Sequence, residues 1–252
     1  MFDLTGKRAL ITGGSAGLGL GMARGLARAG ADVALWGRSA GKLDAAATEL
    51  ADFGGKVVTR SVDVADEQAV IDGVAATAEE LGGLDVVVVN AGIGVPLQKF
   101  AESSTEQYRK VMATNVDGAY FTLREATKVL VAQGSGGSMI VTSSLGAIEG
   151  AGRNQAYGAT KAAVLALANG CAVELARYDI RVNSVLPGWI ATDMTGPLQE
   201  SDIFNSNVIS RVPLGRWGRP EDFEGIAVYL ASDASAFQTG SSTLIDGGYS
   251  IF

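Results

Sequence analysis

The chain has 252 residues, 47% hydrophobic and 19% charged, and a domain of that size buries roughly three quarters of its unfolded surface, so it needs no disulfide staples. It contains no histidine and one cysteine, which rules out a Ser-His-Asp triad, a histidine metal site and an intrachain disulfide. A net charge of −7 with no broad basic face disfavours nonspecific nucleic-acid binding, because nothing is present to displace counterions.

From the amino terminus, Met1 to Arg8 runs straight into a strand-like segment without a signal-peptide h-region or a transit-peptide pattern. No apolar run approaches the ~18 residues of a membrane span. The lone Cys171 reads as a small packing residue in a buried helix. These features predict a soluble, cytoplasmic protein with no membrane partner and no metal.

Short β-like runs alternate with helical patterns along the chain: Ala9 to Ile11, then Leu18 to Ala29; Val33 to Trp36, then Lys42 to Asp52; Val57-Val58, then Val70 to Leu81; and Asp85 to Val89. A helix around Glu106 to Val131, a strand at Met139 to Val141 and a helix around Gln155 to Tyr178 follow. Val182 to Val185 and Thr243 to Ile245 are the last strands. Between them a helix opens at Pro220-Glu221-Asp222, where a first-turn proline followed by acids is a start signal. Unbroken Val/Ile runs indicate strands covered on both faces. The alternation predicts an α/β fold, a doubly wound parallel sheet (Rossmann-like) with helices on both faces, in a single domain over 1–252. Such sheets bind ligands beyond the carboxyl ends of their strands.

Thr12-Gly13-Gly14-Ser15-Ala16-Gly17-Leu18-Gly19 follows the first strand and opens the first helix. Glycines let backbone amides approach a pyrophosphate, and a helix amino terminus favours negative charge. The spacing is G-x-x-x-G-x-G rather than G-x-G-x-x-G. Further on, Tyr157 and Lys161 stand at i and i+4, one face of a helix. With histidine absent, proton transfer must use Tyr, Lys, a carboxylate or the cysteine. A cation about 4 Å from a phenol attracts its phenolate by about 4 kcal/mol at an effective dielectric of 20. That is an upper bound of nearly three pKa units, which desolvation of the lysine reduces. The pair is expected to act as a tuned acid/base.

The glycine pattern, Asn90-Ala91-Gly92, Asn115, Ser144, the Tyr157/Lys161 pair, Pro187-Gly188 and Asp246-Gly247-Gly248 stand in the order of the short-chain dehydrogenase/reductase family, which the chain resembles over nearly its whole length. Val89 departs from the second Asn that the family often has there. The resemblance implies a nicotinamide-dependent oxidoreductase acting on a carbonyl or secondary alcohol. It implies cofactor contacts from Gly13, Ser15, Gly17, Leu18, Gly19, Asp63, Val64, Asn90, Ala91 and Gly92. Asp63 is matched to the family's adenine-binding acid, with helix capping as the competing role. NAD-specific folds place an acid after the second strand; here Gly37 stands at that position, followed by Arg38 and Ser39. A guanidinium suits a 2′-phosphate, so NADP is favoured, although Ser15-Ala16 lack the basic residue that many NADP-using relatives carry, and NAD remains possible.

By the same resemblance Ser144, thirteen residues before Tyr157, binds the reacting oxygen, with Ser143 as its rival. Tyr157 moves a proton to or from that oxygen, and Lys161 lowers the tyrosine's pKa and bonds the nicotinamide ribose. Asn115 holds a water in a relay to Lys161; satisfying a helix kink is its alternative. Pro187, Gly188, Ile190 and Thr192 hold the carboxamide, and the polar, irregular segment 191–214 is expected to be a mobile lid. Substrate contacts are expected from Gly94, Leu145, Gly146, Arg153, Trp189 and Met194. Arg153 is a candidate for a carboxylate or a hydroxyl-rich sugar acid, against an outward salt bridge. The helix from Ala156 to Tyr178 is apolar on most faces, and in relatives it packs on a second subunit, which implies a homo-oligomer, expected to be a tetramer; a monomer that buries these faces internally is the alternative. The four-residue Tyr-to-Lys spacing speaks against enoyl reduction. The rivals are a 3-oxoacyl-thioester reductase and a non-catalytic nucleotide-binding redox sensor.

Overall fold

The computed structural model describes residues 1–252. Seven strands, β1 (Arg8–Thr12), β2 (Asp32–Gly37), β3 (Val57–Ser61), β4 (Val86–Val89), β5 (Gly137–Thr142), β6 (Ile180–Pro187) and β7 (Ser242–Ile245), form one sheet in the order 3-2-1-4-5-6-7. Every neighbouring pair is parallel, with Leu10 opposite Ala34 on one side and Val87 on the other. The chain leaves β1 in one direction to reach β2 and returns beside it as β4, so the order reverses between β1 and β4. A crevice opens at such a switch point.

Side chains alternate across the pleat and divide into two cores. Leu10, Trp36, Val87, Met139, Val141 and Val182 meet one layer, built by α3 (Glu67–Leu81), α5 (Gly118–Gln133) and α6 (Gln155–Leu175). Ile11, Leu35, Val88, Ile140 and Val185 meet the other, built by α1 (Gly17–Arg28), α2 (Ala40–Ala51) and α9 (Glu224–Ala231). Each fully buried Leu, Ile or Val contributes about 1.5–3 kcal/mol, and the doubly wound sheet predicted from the Val/Ile runs is the fold observed. Local signals set the helix ends. Ser39 and Asp66 cap α2 and α3 through their side chains, and Gly82 ends α3 in the left-handed region, where glycine is unstrained.

Four expectations change. The helix predicted over 106–131 is α4 (Thr105–Met112) and α5 joined by a π-turn, Ala113–Asp117. The helix at Pro220 begins as a 3-10 turn, Pro220–Phe223, before α9. The segment 191–214 is not irregular: it carries α7 (Gly196–Gln199) and α8 (Asp202–Ile209). Its polar composition hides an apolar stripe at i, i+4 and i+8: Phe204, Val208 and Val212 pack with Leu145, Trp189, Trp217 and Tyr249. Finally, Gln155–Tyr178 is long and apolar enough by length and composition to cross a membrane, with mean hydropathy 1.3. Its Val164, Ala168, Ala172 and Leu175 lie in the core, which accounts for the apolar character of a helix on a parallel sheet.

Candidate active site

The carboxyl ends of β1, β2, β4, β5 and β6 open into a cleft of about 490 Å³. At its floor the Thr12 hydroxyl donates to the Val88 carbonyl and accepts from the amides of Asn90 and Ala91 at 2.9 and 3.0 Å. Asn90 Nδ2 donates to the Thr12 carbonyl at 3.1 Å. Thr12, buried behind the loop, locks the two strand ends together; its place in the glycine motif gave no sign of this, because its partners lie 76 to 79 residues away.

The glycine loop has the form of an anion cradle. Gly13 and Gly17 hold positive φ, 66° and 54°, and a Cβ on Gly19 would run into the Gly13 carbonyl. The helix that follows has Ala16 at its N-cap with no side-chain cap, so its first-turn amides are left for a ligand. Gly37 leaves room for Ser15, whose Oγ lies 2.7 Å from where a Cβ would stand. Arg38, Ser39 and Lys42 line the same end. The Arg38 guanidinium reaches Asp63 Oδ2 at 4.0 Å, and Asp63 accepts from Ala65 N in a tight turn. Helix capping is not its role: Asp66 caps α3, accepting from Ala69 N at 3.1 Å. This donor set fits an adenosine dinucleotide with its pyrophosphate at the α1 amino terminus.

On the opposite wall stand Ser144, Tyr157 and Lys161. Ser143 is buried and donates to the Lys161 carbonyl at 2.8 Å, fastening α6 to the end of β5. Ser144 Oγ accepts from Gly146 N at 3.1 Å and remains on the cleft. Lys161, 5% exposed, donates from Nζ to the Thr142 carbonyl at 2.9 Å, and its Nζ stands 5.6 Å from the Tyr157 ring centroid. Burial pushes the Lys161 ammonium down to about 8. Tyr157 departs from expectation. Burial raises its phenol above the ordinary value, and the hydrogen bond with Ser144 opposes this only in part. Desolvation of the phenolate is the larger effect, and the Lys161 ammonium ends on a backbone carbonyl rather than on the phenol.

Asn115, 2% exposed, sits in the π-turn. Its Oδ1 accepts from Ile93 N at 2.8 Å, and its Nδ2 donates to the Ile93 carbonyl and to Thr160 Oγ1 at 3.0 and 3.1 Å. The side chain therefore ties the loop after β4 to α6. Val64, Ala91, Gly92, Leu18, Pro187, Gly188, Ile190, Thr192 and Met194 line the cleft. Gly94 lies against Met194, and Gly19 supports the cradle from behind. Thr195, which the sequence did not single out, organises the 190–192 turn: its Oγ1 donates to the Ile190 carbonyl at 2.6 Å and accepts from Thr192 N at 3.1 Å.

Five expected substrate contacts do not line this cleft; Gly94, which lies against Met194, and Gly146 are two of them. Leu145 is buried with Val208, Val212 and Tyr249. Trp189 packs edge-on against Phe204, Trp217 and Tyr249, with ring centroids 5.3 to 6.3 Å apart. Arg153, at φ 64°, lines a separate cavity beside Gln98 and Tyr108; the left-handed turn just before α6 sends it there. Gly146 serves through its amide to Ser144.

The family model described as enoyl-(acyl carrier protein) reductase matches residues 13–250. L-rhamnose 1-dehydrogenase (NAD(P)(+)) of Azotobacter vinelandii is 42% identical over 249 residues, covering 97% of each chain. Gluconate 5-dehydrogenase of Gluconobacter oxydans is 39% identical over 253 residues, covering 100% of this chain and 97% of the relative. Among solved structures, a short-chain type dehydrogenase/reductase from Mycobacterium marinum matches with a TM-score of 0.94 and 42% identity, over 98% of this chain and 97% of that one. A structure from Beutenbergia cavernae, described as an NAD(P) dependent gluconate 5-dehydrogenase with bound NADP at low occupancy, matches with a TM-score of 0.94 and 35% identity, over 100% and 99%.

Proposed function

The chain belongs to the short-chain dehydrogenase/reductase family and is an NAD(P)-dependent oxidoreductase acting on CH–OH groups, and on that premise we propose that it oxidises a sugar or sugar acid reversibly, with NADP preferred. The observation that carries the reading is the convergence of Ser144, Tyr157 and Lys161 on the cleft that also holds the glycine cradle. Bound nicotinamide supplies or accepts the hydride. Ser144 Oγ orients the reacting oxygen, and the Tyr157 hydroxyl gives that oxygen a proton during reduction or takes it during oxidation. Lys161 holds positive charge beside the phenol and offers its ammonium to the nicotinamide ribose. Asn115 fixes the loop at Ile93 against α6, and with it the distance across the site. Gly188, Ile190 and Thr192 form the carboxamide side, with Thr195 holding their turn.

The NADP preference rests on Arg38, with Gly37 in the place where an acid would otherwise exclude a phosphate. The sugar class rests on the relatives' substrates. Segment 191–214, docked on Trp189 through Phe204, serves as a lid on this side. We further infer a homo-oligomer, a tetramer by family resemblance. Ala162, Ala166, Gly170 and Val173 form an exposed stripe of small residues on α6, Val173 being 85% exposed, and a second copy would cover it.

Initial rates with NADP⁺ over a panel of deoxy sugars, aldonates and acyclic polyols, set against reduction of an acetoacetyl thioester with NADPH, test the substrate class. At least one sugar or sugar acid is expected to give a kcat/KM more than about tenfold above the thioester, about 1.4 kcal/mol in transition-state binding. The reverse order would make carrier-bound acyl groups the substrate.

A further inference from the structure

Lys42 and Asp193 are 151 residues apart in sequence, yet Lys42 Nζ and Asp193 Oδ2 stand 2.6 Å apart. Lys42 lies in the first turn of α2, after β2; Asp193 lies at the root of the lid, after β6. In the sheet order those strands are four positions apart, roughly 19 Å at about 4.8 Å per strand. The pair therefore bridges the two halves of the sheet over the mouth of the switch-point crevice. Both residues line the cofactor cleft. A second contact reinforces the crossing: Thr192 Cγ2 lies 3.4 Å from where a Cβ on Gly17 would stand, so the lid root rests on the glycine loop.

Lys42 also belongs to the end of the cleft where Arg38 and Ser39 stand, and its own amide donates to Ser39 Oγ at 3.4 Å. Its side chain is 55% exposed and that of Asp193 79%, so the ammonium is free to swing between anions. We propose that Asp193 competes with the cofactor's 2′-phosphate for Lys42, making Lys42 and Asp193 a specificity-determining pair that sets NADP-over-NAD selection from the lid side of the cleft. This rests on the reading of the cleft as a nicotinamide dinucleotide site with Arg38 at the adenosine end. With a 2′-hydroxyl in place, Lys42 stays on Asp193 and the clasp is closed over the cofactor. A 2′-phosphate carries nearly two charges against the carboxylate's one, and its oxygens draw the ammonium away. The acid thus taxes NADP binding and leaves NAD binding untaxed.

Fluorescence titrations with NADPH and NADH, on the wild type, D193N, K42M and the double variant, test this without a substrate. D193N is expected to tighten NADPH two- to fivefold, the scale of an exposed ion pair of about 0.4–1 kcal/mol, and to leave NADH unchanged or slightly weaker. K42M should weaken NADPH and leave NADH alone, and in the K42M background the gain from D193N should vanish. An NADPH/NADH ratio unmoved by D193N, or a gain that persists without Lys42, would overturn the clasp. The outcomes also separate this inference from the cofactor preference. A wild type that prefers NADH, with a D193N gain that needs Lys42, removes the NADP preference and keeps the competition. A wild type that prefers NADPH, with a ratio indifferent to D193N, does the opposite.

Discussion

Replacing Lys161 by methionine should yield a protein that is more stable at neutral pH and catalytically inert. Lys161 is buried to 5% exposure, and burial brings its ammonium from 10.5 down to about 8. A group whose folded pKa lies below its unfolded pKa binds its proton more weakly when folded. Stability therefore rises with pH between the two values, and the full penalty applies below pH 8. A drop of this size corresponds to about 3 kcal/mol. Methionine has nearly the same shape and carries no charge, so it removes that penalty. It also leaves the Thr142 carbonyl without the donor at 2.9 Å, which returns about 1–3 kcal/mol. The net gain at pH 7 is about 0–2 kcal/mol, and the pH dependence is the sharper readout. The stability of K161M relative to wild type should fall by about 2 kcal/mol between pH 7 and 9.5, as the wild type sheds its buried proton. Urea unfolding at each pH measures this directly, and turnover should fall about 10²–10⁴-fold throughout. A stability difference that is flat with pH would refute the buried ammonium, whatever the loss of activity.

Gly19→Ala places a methyl against the Gly13 carbonyl, 2.5 Å from Asn90 Nδ2 and 2.8 Å from Gly13 C. Overpacking of this kind costs about 1–3 kcal/mol, so NADPH should bind about 5- to 100-fold more weakly in a fluorescence titration; undiminished affinity would show that the loop is not the pyrophosphate cradle. Trp189→Ala removes the ring on which Phe204, Trp217 and Tyr249 converge. Limited proteolysis should then cut within 196–214 at least about tenfold faster, an opening free energy lower by about 1.4 kcal/mol, and KM for substrate should rise more than the cofactor Kd. Unchanged cutting would mean that α8 docks through other contacts.

What the sequence made legible follows the reach of the interactions. Strands β1 to β7 and most of the helices between them are set by local apolar periodicity, and the glycine cradle by a run of eight residues, so these could be read directly, whereas α7 and α8 could not. Contacts that join distant segments could not. Thr12 to Asn90 and Lys42 to Asp193 involve ordinary residue types whose partners only the fold supplies. Leu145 and Trp189 were expected on the substrate side because an apolar residue in a loop near a site looks the same whether it lines a pocket or a small core. Arg153 was misplaced for a backbone reason: its left-handed φ turns it away four residues before Tyr157.

The Tyr157/Lys161 pair shows the same limit inside a motif that was otherwise plain. An i, i+4 spacing puts two side chains on one helix face, but it does not fix where their polar ends finish. Lys161 finishes on the Thr142 carbonyl, a partner nineteen residues away, with its Nζ 5.6 Å from the Tyr157 ring centroid. Desolvation then acts on both groups and favours the uncharged form of each: the phenol rises and the ammonium falls. The two shifts carry the lysine below the tyrosine. At neutral pH this leaves Tyr157 as the intact phenol, the form that the proposed reduction requires of its proton donor. The hydrogen bond from Ser144 pulls the phenol back down, so in the proposed reaction the residue that positions the oxygen also eases the departure of the proton.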